Sequence, residues 1–315
     1  MPTYLNRAQN QKALAAIDLG SNALRAVVAR SNGKEVEIIK NIREPLRLGE
    51  DVFDKGIISP EKMRRTEEAF IKLFHTFMAF NVTEVRSVAT SAMRDSKNGQ
   101  LLSNRIRRST GIAIETIHGL EEAELIYQAV SSEVNLKKKT AILMDIGGGS
   151  TELILVKNQK ILAVDSFNVG TVRLLRYKSQ EELDLRIRLE ISKMLPFIRE
   201  HLGRKKPDLF IGTGGNLRRI GKIRKKIMGK SSDLALYKEI HHMEESLLSM
   251  SFIERIRRLE LDMNRADVIL PAIMLTNHLM EELKMNKILL PKVGLKEGLI
   301  LSMLPDTQKK LILKD

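Results

Sequence analysis

The sequence predicts a two-lobe α/β protein whose sheets mix parallel and antiparallel strands. Three observations predict it. Short apolar runs alternate with longer stretches of helical periodicity, the pattern of α/β layers. One motif occurs twice, as Asp18-Leu19-Gly20-Ser21-Asn22 and, 127 positions later, as Asp145-Ile146-Gly147-Gly148-Gly149-Ser150-Thr151. Each copy reads as strand, glycine turn and returning strand, so each lobe contains an antiparallel hairpin. The run Lys137-Lys138-Lys139 between them marks a solvated connection and a lobe boundary.

The elements follow in order. Leu14 to Ile17 is a strand that leads into the first glycine turn, and Ala23 to Ala29 returns from it. Residues 31–34 form the next turn, and Val36 to Ile39 is a third strand. Ser59-Pro60-Glu61 opens a helix with a capping hydroxyl, Pro at the first helical position and an acid at the positive dipole end. Its apolar face, Met63, Ala69, Phe70, Leu73, Phe74 and Phe77, carries it to about Ala79. Val85 to Ala89 is a strand ending in Thr90-Ser91-Ala92-Met93-Arg94-Asp95. A helix over 100–109, a strand over 112–117 and a helix from Gly119 through Val130 complete the first lobe, residues 1–130.

Thr140 to Met144 restarts the theme, Glu152 to Val156 returns, and Ile161 to Phe167 adds a strand. Ser179-Gln180-Glu181-Glu182 matches a capping box ahead of a helix toward His201. Asp208 to Ile211 enters a third glycine loop, Gly212-Thr213-Gly214-Gly215-Asn216, before a strongly basic helix. From Lys238 onward the chain reads as helical, interrupted by a strand at Lys287 to Leu290. The second lobe spans 131–293, and a C-terminal helix over 294–315 packs back on the first.

The bulk composition narrows the function. A chain of 315 residues with 43% apolar content builds real cores, which rest on Leu, Ile, Val and Met because aromatics are 4% and Trp is absent. The absence of Cys excludes disulfides, thiol catalysis and Cys-ligated zinc, and fits a reducing cytoplasm. The N-terminal segment lacks the apolar core of a signal peptide, and no apolar run nears the roughly 18 residues of a membrane span. A cytoplasmic protein with no membrane partner is expected. The net charge of +14 draws polyanions. Few aromatics and no zinc-finger or RNP-like motif argue against specific nucleic-acid binding, and a phosphate-rich small ligand or inorganic chain fits the charge equally well.

The glycine loops carry the chemistry. None ends in Gly-Lys-Ser/Thr, and none has dinucleotide-fingerprint spacing at a helix start. A tight turn of small residues aims backbone N–H groups at an anion, and Gly lets a phosphate oxygen approach the main chain. The Asp at the strand end repels phosphate but holds Mg²⁺, which bridges to it. One such turn is equally an ordinary hairpin whose Asp accepts local N–H bonds. Two copies at matching positions point to one phosphate-bearing ligand and its metal. Asp18 and Asp145 are the metal candidates. Ser21, Asn22, Ser150 and Thr151, with Gly147, Gly148 and Gly149, are the phosphate donors. Arg25 follows the first loop closely enough to reach the same anions, and the Arg94 guanidinium is a bidentate clamp for phosphate oxygens.

The chain resembles the exopolyphosphatase/guanosine-pentaphosphate phosphohydrolase family of the actin/sugar-kinase/heat-shock-70 superfamily. Five blocks carry the resemblance, in order along the whole chain: Ala16 to Asn22, Val88-Ala89-Thr90-Ser91-Ala92-Met93-Arg94, Gly119 to Tyr127, Asp145 to Glu152, and Arg265-Ala266-Asp267-Val268-Ile269. The resemblance implies two actin-like (ribonuclease H-like) lobes flanking a cleft. It implies Glu122 as the catalytic base that deprotonates the attacking water, and places Glu152 at a position that binds metal or orients water beside Asp145. It adds Thr90 and Ser91 to the phosphate contacts, and sets Gly212, Gly214, Gly215 and Asn216 on the nucleotide side. Asn216 stands where relatives often carry Thr. Lys222, Arg224, Lys225 and Lys226 follow and would guide a long polyanion or merely form a solvated helix face.

The family's late Ser-Asp-x-Gly-Leu-Arg-Glu-Gly segment reads here Pro291-Lys292-Val293-Gly294-Leu295-Lys296-Glu297-Gly298, with the Ser, Asp and Arg replaced. Longer relatives carry a further helical domain beyond the point matching Asp315. The implied activity is Mg²⁺-assisted hydrolysis of a terminal phosphoanhydride, from inorganic polyphosphate or from guanosine pentaphosphate. A sensor that binds polyphosphate or guanosine tetra- and pentaphosphate without turnover is one rival, and a same-fold small-molecule kinase is the other. A homodimer is a further expectation from the resemblance.

Overall fold

The computed structural model describes residues 12–31, 35–203, 205–305 and the backbone of 311–312. The expected turn at 31–34 and the N-terminal segment before Lys12 fall largely outside these residues. The chain divides into two compact units, Met1–Glu133 with Val293–Asp315, and Val134–Lys292. No helix among the described residues is long and apolar enough to cross a membrane.

The first unit contains β1 (Lys12–Leu19), β2 (Leu24–Ser31), β3 (Val36–Glu44), α1 (Leu48–Lys55), α2 (Pro60–Ala79), β4 (Glu84–Ala89), α3 (Ser91–Asp95), α4 (Gly99–Thr110), β5 (Glu115–Thr116) and α5 (Gly119–Glu133). The second contains β6 (Thr140–Ile146), β7 (Thr151–Lys157), β8 (Lys160–Phe167), α6 (Thr171–Leu174), α7 (Gln180–Leu202), β9 (Leu209–Thr213) and α8 (Gly214–Met228). It continues with β10 (Leu234–Leu236), α9 (Tyr237–Leu248), α10 (Phe252–Leu259), α11 (Met263–Ala266), α12 (Ile269–Glu282) and β11 (Lys287–Leu289). The chain then returns to the first unit as α13 (Leu295–Ser302) and β12 (Leu311–Ile312).

Both sheets are mixed, as the sequence predicts. The first has the order β12-β3-β2-β1-β4-β5 and the second β10-β11-β9-β6-β7-β8. In each, the central strand pairs antiparallel with its hairpin partner and parallel with a later strand: β1 with β2 and β4, β6 with β7 and β9. The duplicated motif is thus a duplicated topology, that of the actin-like (ribonuclease H-like) lobes expected. Strands covered on both faces read as continuous apolar runs. Accordingly β1 is buried from Ala13 to Leu19 and β7 from Thr151 to Val156.

Several helix ends follow their sequence signals. The Ser59 hydroxyl accepts the Lys62 N–H at 3.4 Å and Pro60 begins α2. The Ser179 hydroxyl accepts the Glu182 N–H at 3.1 Å and starts α7. Pro196 removes a backbone donor inside α7, yet buried Met194, Leu195 and Ile198 hold that turn in the core.

Other elements differ. The third strand runs on to Glu44, because its second half continues the ladder with β2. The strand expected over 112–117 pairs only at Glu115–Thr116, opposite Val88 and Ala89. Helices α1 and α3 occupy stretches with no sequence signal. The final helix ends at Ser302, and Leu311–Ile312 pair instead with β3; residues 306–310 and 313–315 lie outside the described residues.

Candidate functional site

In the first unit the hairpin turn closes with a bond from the Gly20 N–H to the Ala23 carbonyl at 3.2 Å. Asp18, Ser21, Asn22, Thr90 and Ser91 are all buried around it. The Ser21 and Ser91 hydroxyls meet at 2.8 Å, and the Ala92 N–H donates to the Ser21 hydroxyl at 3.1 Å. These bonds fasten the first loop to the start of α3. Thr90 joins them through its N–H, which donates to the Leu19 carbonyl at 3.3 Å. Arg94 leaves the group and donates to the Ile117 carbonyl at 3.0 Å.

Arg25 lies opposite Asp18 in the β1–β2 register and donates to its carboxylate at 3.1 Å. Burial pushes the Asp18 carboxyl above its ordinary range, and the Arg25 guanidinium only partly offsets this.

Glu122 occupies the first turn of α5, where the helix dipole favours a carboxylate. Its neighbour Glu121 is half exposed and accepts from Arg86 at 3.0 Å, whereas Glu122 is buried at 7% exposure. The structure therefore separates the adjacent acids, one tied into an ion pair and the other turned inward. Helix α5 is held closely against α13, because a Cβ at Gly298 would collide with the Leu125 carbonyl. In the altered late segment, Lys296 pairs with buried Glu297 and donates to Asn41 at 2.8 Å. Glu297 in turn accepts the Gly294 N–H at 3.0 Å.

In the second unit Asp145 and Glu152 are register partners across β6 and β7, so both side chains stand on one face. They are 7% and 0% exposed, with carboxylate oxygens within 4.8 Å of each other. Thr213 flanks Asp145 on β9, and Ser166 flanks Glu152 on β8. Ser166 donates to Glu152 at 2.9 Å, and the Thr213 hydroxyl is fully buried. Two close carboxylates flanked in register by Thr213 and Ser166 fit a hard divalent cation.

Asp145 is further shaped by Gly214, which begins α8 at φ +82°. A Cβ there would stand 1.8 Å from Asp145 Oδ1, so only glycine leaves room for the carboxylate. The third loop is thus a direct strand-to-helix junction. Asn216 is buried on it, donating to the Ile146 carbonyl at 2.9 Å and the Thr171 hydroxyl at 3.2 Å. Gly212 is packed against Leu217, Ile288 and Leu290, and Gly215 is exposed.

The triple-glycine turn is pinned by α6. The Thr171 N–H donates to the Gly147 carbonyl at 3.0 Å, and the Val172 N–H to that of Gly148 at 2.8 Å. The Arg173 guanidinium reaches the Gly149 carbonyl at 2.6 Å. A Cβ at Gly170 would stand 2.5 Å from the Gly148 backbone, so two glycines permit this contact. Ser150 is buried, and the Thr151 hydroxyl donates to the Val169 carbonyl at 2.6 Å.

Ser166, Thr171, Arg173 and Gly170 escaped the sequence reading because strand β8 and helix α6 carry no motif. One signal was present: Arg25 follows Asp18 by the same spacing that separates Glu152 from Asp145, seven positions.

The model of the Ppx/GppA phosphatase family matches residues 27–307. The chain is 24% identical over 97% of its length to a guanosine-5'-triphosphate,3'-diphosphate pyrophosphatase of Vibrio vulnificus. It spans about three-fifths of the length of the curated relatives it matches, 62% and 59%. Among solved structures, an exopolyphosphatase from Cytophaga hutchinsonii superposes with a TM-score of 0.85 at 25% identity, covering 93% of this chain and 97% of the other. The Ppx/GppA family member of Aquifex aeolicus superposes at 0.76, also at 25% identity, over 93% and 97%. Duplicated hairpins, the inward Glu122, the Asp145–Glu152 pair and a family model that spans nearly the whole chain have one meaning: the chain belongs to the Ppx/GppA phosphatase family.

Proposed function

We propose that this protein is a phosphoanhydride hydrolase that releases terminal phosphate from inorganic polyphosphate, from guanosine pentaphosphate, or from both. Family membership supports the reaction class, and the names of its relatives supply the two substrates. The observation that carries the reading is the row of buried oxygen ligands around Asp145 and Glu152, which suits a cation that accompanies phosphate. Asp145 and Glu152 would hold a divalent ion, Mg²⁺ in this reading. When bound, it neutralises charge on the phosphate oxygens.

The chain's own residues do the rest. Glu122 takes a proton from the attacking water. Ser166 keeps Glu152 oriented. Ser21, Asn22 and Ser91, with the glycine turn at 147–149 and Ser150, supply short polar groups to the phosphates, and Arg25 neutralises Asp18. Arg94, Thr151 and Asn216 act by holding backbone in place, since each is bonded to a carbonyl. Positioning supplies most of the rate in this reading.

The test is phosphate release from tripolyphosphate, long-chain polyphosphate and guanosine pentaphosphate with Mg²⁺ present. Glu122→Gln is expected to lower kcat by about 10² to 10⁴-fold while KM changes little. Release by wild type that Glu122→Gln leaves intact would remove Glu122 from its role. No release from any of the three would refute hydrolysis.

A further inference from the structure

Thr213 ends β9 and stands at the N-cap position of α8. The hydroxyl of a threonine in that place ordinarily accepts a backbone N–H from the first helical turn. Here it makes no such bond. The residue is fully buried, and its hydroxyl has no hydrogen-bond partner among the described residues. A buried hydroxyl without a partner opposes folding, and native proteins keep few of them.

Valine would avoid this penalty. It is branched like threonine, suits a strand and carries no polar side-chain atom. The chain itself contains that alternative. Val88 stands beside Asp18 in the first sheet, as Thr213 stands beside Asp145 in the second, and it is equally buried. The two surroundings differ in charge. Arg25 sits on the Asp18 carboxylate at 3.1 Å, whereas Asp145 stands opposite Glu152. The apolar residue thus accompanies the carboxylate that already has a cation, and the hydroxyl accompanies the pair of carboxylates.

The row across the sheet indicates what the hydroxyl is for. Thr213, Asp145, Glu152 and Ser166 lie side by side on β9, β6, β7 and β8. Neighbouring strands are about 4.8 Å apart, so Thr213 flanks Asp145 as Ser166 flanks Glu152. Ser166 spends its hydroxyl on Glu152, donating at 2.9 Å. Thr213 does not spend its own within the chain. A hard divalent cation such as Mg²⁺ keeps several waters when carboxylates hold it. A hydroxyl beside those carboxylates bonds that water shell without adding charge, and such outer partners fix the ligands in place.

We propose that Thr213 is a positioning residue of the cation site, its hydroxyl reserved for the hydrated divalent cation that Asp145 and Glu152 hold. The inference rests on the cation of the hydrolase reading above, but its test does not require turnover. Binding of Mn²⁺ to the full chain is measured by electron paramagnetic resonance of the free ion, and binding of Mg²⁺ by competition. Thr213→Val is expected to weaken both by about 10- to 100-fold. Thr213→Ser keeps the hydroxyl and is expected to bind nearly as wild type does. Stability moves the other way. In EDTA, Thr213→Val lacks the unpartnered hydroxyl and is expected to unfold about 2–4 °C above wild type. Added Mg²⁺ is then expected to raise wild type by more than the variant.

A hydroxyl with a purely structural role gives the opposite pattern. Earlier unfolding of Thr213→Val in EDTA, with cation affinity unchanged, would overturn the inference. Equal weakening by Thr213→Val and Thr213→Ser would assign the effect to side-chain shape and overturn it as well. Glu152→Gln is expected to abolish the binding seen in wild type. If wild type binds no cation that depends on Glu152, the cation of the hydrolase reading and the role of Thr213 fall together. If it binds one and Thr213→Val binds it equally well, only the role of Thr213 falls. Cation binding that depends on Thr213, with no phosphate release by wild type, would refute the hydrolase reading and leave that role standing.

Discussion

Gly214→Ala isolates the placement of Asp145 from the general stability of the second unit. The new Cβ would stand 1.8 Å from Asp145 Oδ1, and real Cβ atoms keep about 3.0 Å, so the carboxylate must retreat by about 1.2 Å. A misplacement of about 1 Å at a reacting centre costs on the order of 10²-fold in rate. The backbone adds its own term, because Gly214 sits at φ +82°, where an L side chain costs roughly 1–2 kcal/mol. Gly229, at the other end of α8, separates the two effects. Its φ is +71°, and a Cβ there meets nothing within 4 Å.

Gly229→Ala therefore carries the backbone strain alone. Both variants are expected to lose about 1–2 kcal/mol in urea unfolding. Only Gly214→Ala is expected to lose about 10²-fold in phosphate release measured well below its unfolding transition. Equal activity in the two variants would refute the reasoning. It would mean that the Asp145 carboxylate can relocate without consequence, and that glycine at 214 serves backbone conformation alone.

Two further outcomes concern stability. Ser59→Ala deletes the hydroxyl that accepts the Lys62 N–H, and is expected to lower stability by about 1 kcal/mol in urea unfolding with phosphate release unchanged. Burial raises the Asp184 carboxyl, but hydrogen bonds from Arg188 and His278 outweigh it and hold the group below its ordinary value of 3.8. The unfolded state then binds the proton at higher pH than the folded one, so this contribution is present above the ordinary value and is lost as pH falls through the folded value. Acid titration of unfolding is expected to be steeper for wild type than for Asp184→Asn below about pH 4.

Legibility in the sequence followed the strength of local signals. Helix α2 was readable because Ser59, Pro60 and a spaced apolar face all specify it. Helix α1 was not, since Arg47 precedes it in left-handed backbone and makes no side-chain cap bond. Helix α3 is five residues long and Thr90 precedes it, again without a side-chain cap bond. The apolar stretch after Gly111 reads as a strand, but only Glu115 and Thr116 find a partner, because β4 supplies the register just there. Glu122 was legible through the resemblance alone. Locally Glu121 and Glu122 are equivalent, and the fold distinguishes them: Glu121 pairs with Arg86 from β4, whereas Glu122 is buried.

The duplicated motif invites the assumption that its two copies do the same work, and the registers argue otherwise. Across the first sheet the row through the motif reads Val88, Asp18, Arg25, Arg43. The matching row in the second reads Thr213, Asp145, Glu152, Ser166. One substitution of sign, Arg25 against Glu152, divides them. In the first unit a guanidinium already sits on the Asp18 carboxylate at 3.1 Å, so adding a divalent ion there would bring two cations together. In the second unit two carboxylates come within 4.8 Å, an arrangement that favours a cation between them. Short polar donors, Ser166 among them, complete that row without adding charge. The same hairpin thus carries two electrostatic environments: a neutralised Asp18–Arg25 pair in one copy, and in the other an Asp145–Glu152 pair that would, in the proposed function, favour a cation. The position seven residues after the Asp, Arg25 in one copy and Glu152 in the other, sets that difference.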